Sequence, residues 1–289
     1  MKIPHGYLHR AAKATMLPQY SYLEVMTNRF LDAAHTVDED IRRAQNIPGT
    51  RKTVDQDEIS LDNMEFFIRK KEIMAADFMG ELKNRISKKK AELFCTVIRD
   101  YWSDSYRFRK GSEVERLIVS IREYLLTFID NKKEPIQNIQ AFTEPASFTI
   151  FEIQKILNVN KELLYQYLHE WMEGHHEYLD LGFGDLFFRR GLCLEKMQQE
   201  SDQYWEFAYL NSYSFATSAS EKFAQWKETP FPTIVSTRYE KICDRVLFFG
   251  PFIPGMPDFQ LELGVIPSSS PQRIKFDGKH GDMYDYTLE

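Results

Sequence analysis

Apolar residues recur at helical intervals through the first half of this chain, and at short, proline-punctuated intervals through its last third. After an irregular start over residues 1–19, Leu23, Met26, Phe30 and Ala34 share one face of a first helix, which fades before Ile47-Pro48-Gly49. A polar loop, Thr50–Ser60, follows. Phe67, Met74, Phe78, Leu82, Ile86, Leu93 and Val97 then fall mostly at three- or four-residue multiples, predicting a long amphipathic helical stretch with Gly80 as its one weak spot. Arg107–Ser112 interrupts it, and Glu113–Asp130 predicts another strongly amphipathic helix. Asn131–Pro145 reads as a polar connection.

Residues 147–191 carry the most distinctive spacing. Thr149-x-x-Glu152 is a capping-box pattern, in which hydroxyl and carboxylate satisfy free N–H groups at a helix start. A short helix is expected through Ile153, Ile156 and Leu157, with a break at Asn158-Val159-Asn160. Asn tolerates positive φ, so Asn158 suits the turn, and Asn160 suits the cap of a second helix from Lys161 to about Glu173. Glu177–Leu181 and Leu186–Arg190 flank Gly182-Phe183-Gly184-Asp185, which reads as a β-hairpin. The Leu157-Asn158-Val159-Asn160 segment, with Leu164 and Leu168 after it, resembles the L-G-V-S-x-x-x-V-x-x-x-L pattern of winged-helix proteins, with Asn replacing both Gly and Ser. The resemblance covers about a sixth of the chain. It implies a helix-turn-helix with a wing, and names no particular family.

Beyond that segment, Leu192–Ala208 reads as a further helix and Ser214–Trp226 as another. From Thr229 onward, Pro230, Pro232, Pro251, Pro254, Pro257, Pro267 and Pro271 punctuate short apolar runs. Arg245–Phe249 and Gln260–Ile266 read as strands or extended segments wrapping the core. Residues 268–289 are polar, and read as a partly disordered tail or one laid across a partner. The expected fold is mainly α with a smaller α+β part: a helical region over 20–130, a winged-helix module over 113–200 sharing the 113–130 helix, a mixed C-terminal region over 201–267, and the tail.

Composition narrows the class without naming a function. At 289 residues the chain is long enough for one large or two ordinary domains, and 43% hydrophobic residues suffice for a substantial core. No run approaches the roughly 18–20 apolar residues that span a bilayer, and the N-terminal stretch has no apolar run of signal-peptide type. Cys95, Cys193 and Cys243 are far apart among apolar neighbours, which suits free thiols in a reducing compartment. A cytoplasmic protein with no membrane partner is the expectation.

Charge counts against the simplest reading of a helix-turn-helix. DNA readers present basic faces, because phosphate neutralisation supplies most sequence-independent affinity. Between Ser147 and Glu200 stand five basic residues and nine acidic ones, a balance of −4. Tyr165, Gln166 and His169 lie outward on the second helix, but Glu162, Glu170 and Glu173 would repel phosphates. Met64–Ser112, by contrast, carries twelve basic residues and seven acidic ones. Nucleic acid, if bound, is therefore expected at Lys88, Lys89, Lys90, Arg107, Arg109 and Lys110, with Lys161 on the second helix. The net charge of −6 argues against broad nonspecific binding.

Signs of catalysis are sparse. His169, Glu170, Glu173, His175, His176 and Glu177 are a dense group of metal-ligand types, yet they lack the H-E-x-x-H register that turns two histidines to one zinc ion. No G-x-S-x-G, phosphate-binding glycine loop or CxxC occurs, and Pro257-Asp258…Glu262 has Gly264 where a nuclease carboxylate pair needs lysine. Neither a metal nor another cofactor is expected. The leading expectation is a non-catalytic docking or regulatory subunit that binds a protein partner or a second copy, through Tyr165, Gln166 and His169 on the helix and Phe183, Arg189 and Arg190 on the wing. A DNA-binding regulator is the alternative, and a metal-dependent hydrolase a distant third.

Overall fold

The computed structural model describes residues 54–102, 113–127, 144–174, 186–204, 210–215, 217–225, 230–256, 261–268, 272–280 and 282–289. The expected first helix around Leu23–Ala34 lies outside these residues. So do Phe183, Arg107, Arg109, Lys110, His175 and His176.

Among the described residues four helices come first: α1 (Val54–Arg85), α2 (Lys88–Val97), continuing as a π turn over Ile98–Trp102, α3 (Glu113–Leu126) and α4 (Ile150–Gly174). The predicted long amphipathic stretch is thus two helices. Ser87 separates them, with extended backbone and a side chain that accepts from the Lys90 N–H. Phe67, Met74, Phe78, Leu82, Ile86 and Val97 are all buried, as their spacing predicts, and Gly80 passes through α1 without a break.

The strands are β1 (Phe187–Leu194), β2 (Gln203–Tyr204), β3 (Asn211–Ser214), β4 (Phe231–Arg238), β5 (Val246–Phe249), β6 (Glu262–Val265), β7 (Gln272–His280) and β8 (Met283–Leu288). Two short helices, α5 (Thr217–Ala224) and α6 (Tyr239–Ile242), lie between them. The strands join in the order β2-β7-β8-β4-β1-β3-β6-β5, with the two-residue β2 at one edge. β4 and β8 pair in parallel and every other pair is antiparallel, so the sheet is mixed.

Side chains alternate across the strands, and each face receives different helices. On one face Phe188 of β1 stacks on Phe215 at 4.9 Å, and Phe215 meets Trp171 of α4 and Phe67 of α1, each at 5.9 Å. Phe67 also meets Phe249 of β5 at 5.3 Å. One apolar core therefore runs from the N-terminal helices into the sheet. On the other face, α5 lies directly on Gly191. A Cβ there would come within 1.9 Å of the Ser220 carbonyl, so only glycine admits this approach.

Three expectations are corrected. First, the fold is not mainly helical with a small α+β part: among the described residues one wide mixed sheet joins all the strands between Phe187 and Leu288. Second, the helix-turn-helix expected around Asn158-Val159-Asn160 does not form. Ile150–Gly174 is one continuous helix of 25 residues, and Asn158-Val159-Asn160 runs through its middle. Of the expected wing, Leu186–Arg190 falls largely in β1, which pairs along its full length with β4 and at Arg189 with β3, while Glu177–Leu181 and the turn at 182–185 lie outside the described residues. Third, the segment expected as a helix over Leu192–Ala208 holds the end of β1 and all of β2. The supposed tail forms the β7–β8 hairpin, whose Ile274, Tyr286 and Leu288 are buried. Its apolar residues fall at two-residue spacing, a strand period that is easily missed among polar neighbours.

Candidate functional site

The centre of interest is α4, assembled from its first residue as the sequence requires. The Thr149 N–H donates to Glu152 Oε2 at 2.8 Å, and the Glu152 N–H donates to Thr149 Oγ1 at 3.3 Å, closing the predicted capping box. Ile153, Ile156, Leu164, Leu168 and Trp171 form the inward stripe.

The two asparagines read as a break serve the continuous helix. Exposed Asn158 accepts from Gln154 Nε2 at 3.0 Å, one turn back. Asn160, fully buried, donates through Nδ2 to its own Ile156 carbonyl at 2.9 Å and to the Leu247 carbonyl at 2.6 Å. Leu247 lies where the β5–β6 register shifts, at the sheet's edge. Two asparagines lower helix propensity by only about 0.7 kcal/mol each. Burial of the flanking leucines and Val159, with about 1 kcal/mol for a hydrogen bond, outweighs that.

Acidic residues of α4 meet basic residues of the earlier helices. Glu152 binds Lys90 at 2.5 Å, Glu162 takes a bidentate contact from Arg85 (Nη1 to Oε1 at 2.9 Å), and Glu170 binds Lys70. The Tyr167 hydroxyl donates to Asp77 at 2.5 Å in the same seam. Hydrogen bonding from Arg85 holds the Glu162 carboxyl below its ordinary pKa, and the same bond raises Arg85. Burial pushes Glu152 upward, yet its bonds from Lys90 and Thr149 outweigh this and leave it lowered. The basic α1–α2 region and the acidic α4 segment thus neutralise each other in three interhelical pairs.

Outside this seam α4 exposes an aromatic stripe. Phe151 is 79% exposed and Tyr165 53% exposed. The Tyr165 and His169 rings lie 6.3 Å apart, Gln166 is exposed beside them, and His169 Nδ1 is 3.4 Å from Glu173 Oε1. Among the described residues no group of three potential ligands is placed to hold a metal ion. Phe151 did not figure among the expected contacts, although its sequence signal was present: it stands seven residues before Asn158 and fourteen before Tyr165.

The arginines expected on a wing belong elsewhere. Arg190 donates to Asn211 of β3 on the sheet face shared with Phe188, and Arg189 lies on the opposite face. There the register aligns one polar row across six strands: Lys275, Thr287, Ser236, Arg189, Ser214 and Glu262, the last two buried. Of the cations proposed for nucleic acid, Lys90 is held by Glu152, whereas Lys88, Lys89 and Lys161 are exposed.

Among the described residues no helix is long and apolar enough to cross a membrane. Comparison with protein-family models, with curated proteins and with solved structures finds no match for this chain.

Proposed function

We propose that this protein works by docking, without catalysis of its own, onto another protein through the outward face of α4. The observation that carries this reading is the exposure of two large aromatics, Phe151 and Tyr165, on one stripe of a helix whose opposite face is buried. Large rigid aromatics are favoured anchors at interfaces, because they bury much area for little lost rotamer entropy. Gln166 and His169 supply polar contacts around them, and exposed Lys155, Lys161 and Glu173 a charged rim. The acids Glu152, Glu162 and Glu170 already have partners within the chain, so a partner need not neutralise them.

The test is a photo-reactive phenylalanine analogue placed at Gln166 in the full chain, expressed in its native cells. Irradiation is expected to give a discrete protein adduct that disappears when Phe151 and Tyr165 are both changed to alanine. The same probe at Lys275, on the far sheet face, is expected to give none. Equal labelling at both positions, or an adduct indifferent to the double substitution, removes α4 as the docking face.

A further inference from the structure

We infer that the partner seated on α4 is a second copy of this chain, bound as an antiparallel helix pair with its two-fold axis at Asn158; this rests on the docking reading above. Phe151, Asn158 and Tyr165 recur every seven residues, the interval that keeps positions on one seam between two helices. A two-fold contact brings each residue against the one equally far beyond Asn158 on the other copy. Phe151 and Tyr165 are each seven residues from Asn158, so aromatic meets aromatic at both ends of the seam.

The flanks agree with that arrangement. At 100° per residue, Lys155 and Glu162 lie on one side of Asn158, and Gln154 and Lys161 lie on the other. In an antiparallel two-fold pair the same flanks meet, so Lys155 faces Glu162 of the other copy, twice over. Gln154 likewise faces Lys161. Lys155 and Lys161 sit on opposite flanks and stay apart. All four flank residues are exposed or half-buried in the single chain, and the Glu162 side chain stays 58% exposed while bound to Arg85.

Asn158 on the axis completes the pattern. Its side-chain oxygen accepts from Gln154, and its amide hydrogens make no bond among the described residues. A polar asparagine at a seam position fixes the register and pairing of two helices at some cost in strength. Two crossing helices cover less than the ~1,600 Å² of a standard interface, so association is weak and depends on concentration.

Sedimentation of the full chain over a concentration series reads the association. A monomer–dimer equilibrium is expected, weakened about tenfold or more by Phe151→Ala and by Lys155→Glu. The register is read by oxidative cross-linking of single-cysteine variants made with the three native cysteines changed to serine. Asn158→Cys is expected to form a symmetric disulfide. Phe151→Cys alone is not, but it is expected to link to Tyr165→Cys when the two chains are mixed. A chain that stays monomeric at every concentration, or cross-links in any other register, overturns the second copy as occupant. The docking reading then still stands or falls on the Gln166 probe, whose adduct would have a mass other than twice the chain.

Discussion

Asn160 donates its buried side-chain amide to the carbonyl of Leu247 over 2.6 Å, joining the middle of α4 to the irregular point of the sheet's edge strand. Edge strands present unpaired carbonyls that invite association with other chains, and proteins commonly cover them with a helix. Here the covering helix supplies the hydrogen bond that a neighbouring strand would have made. Asn160→Ala is expected to leave that carbonyl buried and unpaired, lowering stability by about 1–3 kcal/mol. Urea unfolding followed by circular dichroism measures this as a lower midpoint with unchanged slope. A midpoint within error of the parent would show the bond to be dispensable.

Gly191→Ala is expected to be among the most damaging single-methyl changes in the sheet. The added carbon would meet the Ser220 carbonyl at 1.9 Å and the Ala224 nitrogen at 2.6 Å, both on the backbone of α5. Backbone cannot swing aside as a side chain can, so α5 must lift from β1. A loss of about 1–3 kcal/mol or failure to accumulate folded protein is expected. Thermal melts of Gly191→Ala beside Gly80→Ala make the comparison, since nothing lies within 4 Å of a Cβ at Gly80.

Acid should loosen the seam that joins α4 to α1 and α2. Glu162 and Glu152 both have folded pKa values below the ordinary 4.5. Their contribution is therefore present above that value and is lost as pH falls from about 4.5 through the lowered folded values. Melting temperatures between pH 6 and pH 3 are expected to fall less steeply in the Glu152→Gln, Glu162→Gln double variant. High salt should shrink the difference, since both pairs are partly exposed. Identical slopes in parent and variant would assign the acid sensitivity to other groups.

Cys95 is expected to resist alkylation in the folded protein. Burial pushes its thiol up to about 12, leaving almost no thiolate at pH 8. Iodoacetamide treatment followed by peptide mass spectrometry should find Cys95 unmodified until denaturant is added. Prompt labelling without denaturant would contradict the burial.

Phe151→Ala and Tyr165→Ala should leave the fold as stable as the parent, within about 0.5 kcal/mol, since both side chains are largely exposed. That neutrality is what allows an association defect in these variants to be read as loss of contact. A strongly destabilised Phe151→Ala would instead place that ring in the core.

How far the sequence spoke depended on whether a signal was local. The Thr149–Glu152 capping box closes as the four-residue spacing predicts, because both partners lie in one turn. The inward residues of α1 and α2 follow their helical period. The strands at Val246–Phe249 and Glu262–Val265 follow their short apolar runs.

Asn158 and Asn160 misled because a local preference for turns is small beside tertiary contacts that lie 87 residues away in the chain. The charge contrast between Met64–Ser112 and Ser147–Glu200 is in part internal: Arg85 and Lys90 bind Glu162 and Glu152, while Lys88 and Lys89 stay exposed. Phe187–Leu194 could not be seen as a central strand from its own residues. Its partners at Phe231–Arg238 and Asn211–Ser214 are remote and carry no shared motif.

The parallel pairing of β4 with β8 makes β8 the bridge between two parts of the sheet. Among the described strands, β7 and β2 reach the rest of the sheet only through β8, which follows both of them in the chain. Until Met283–Leu288 is made, β4 has one open edge and β7 can pair only with the two-residue β2. The nascent chain can gather its helices over β1, β3, β5 and β6 early, but the sheet closes only in one late step. Breaking the pairing of β8 with β4 would therefore detach β2, β7 and β8 from the rest of the sheet together.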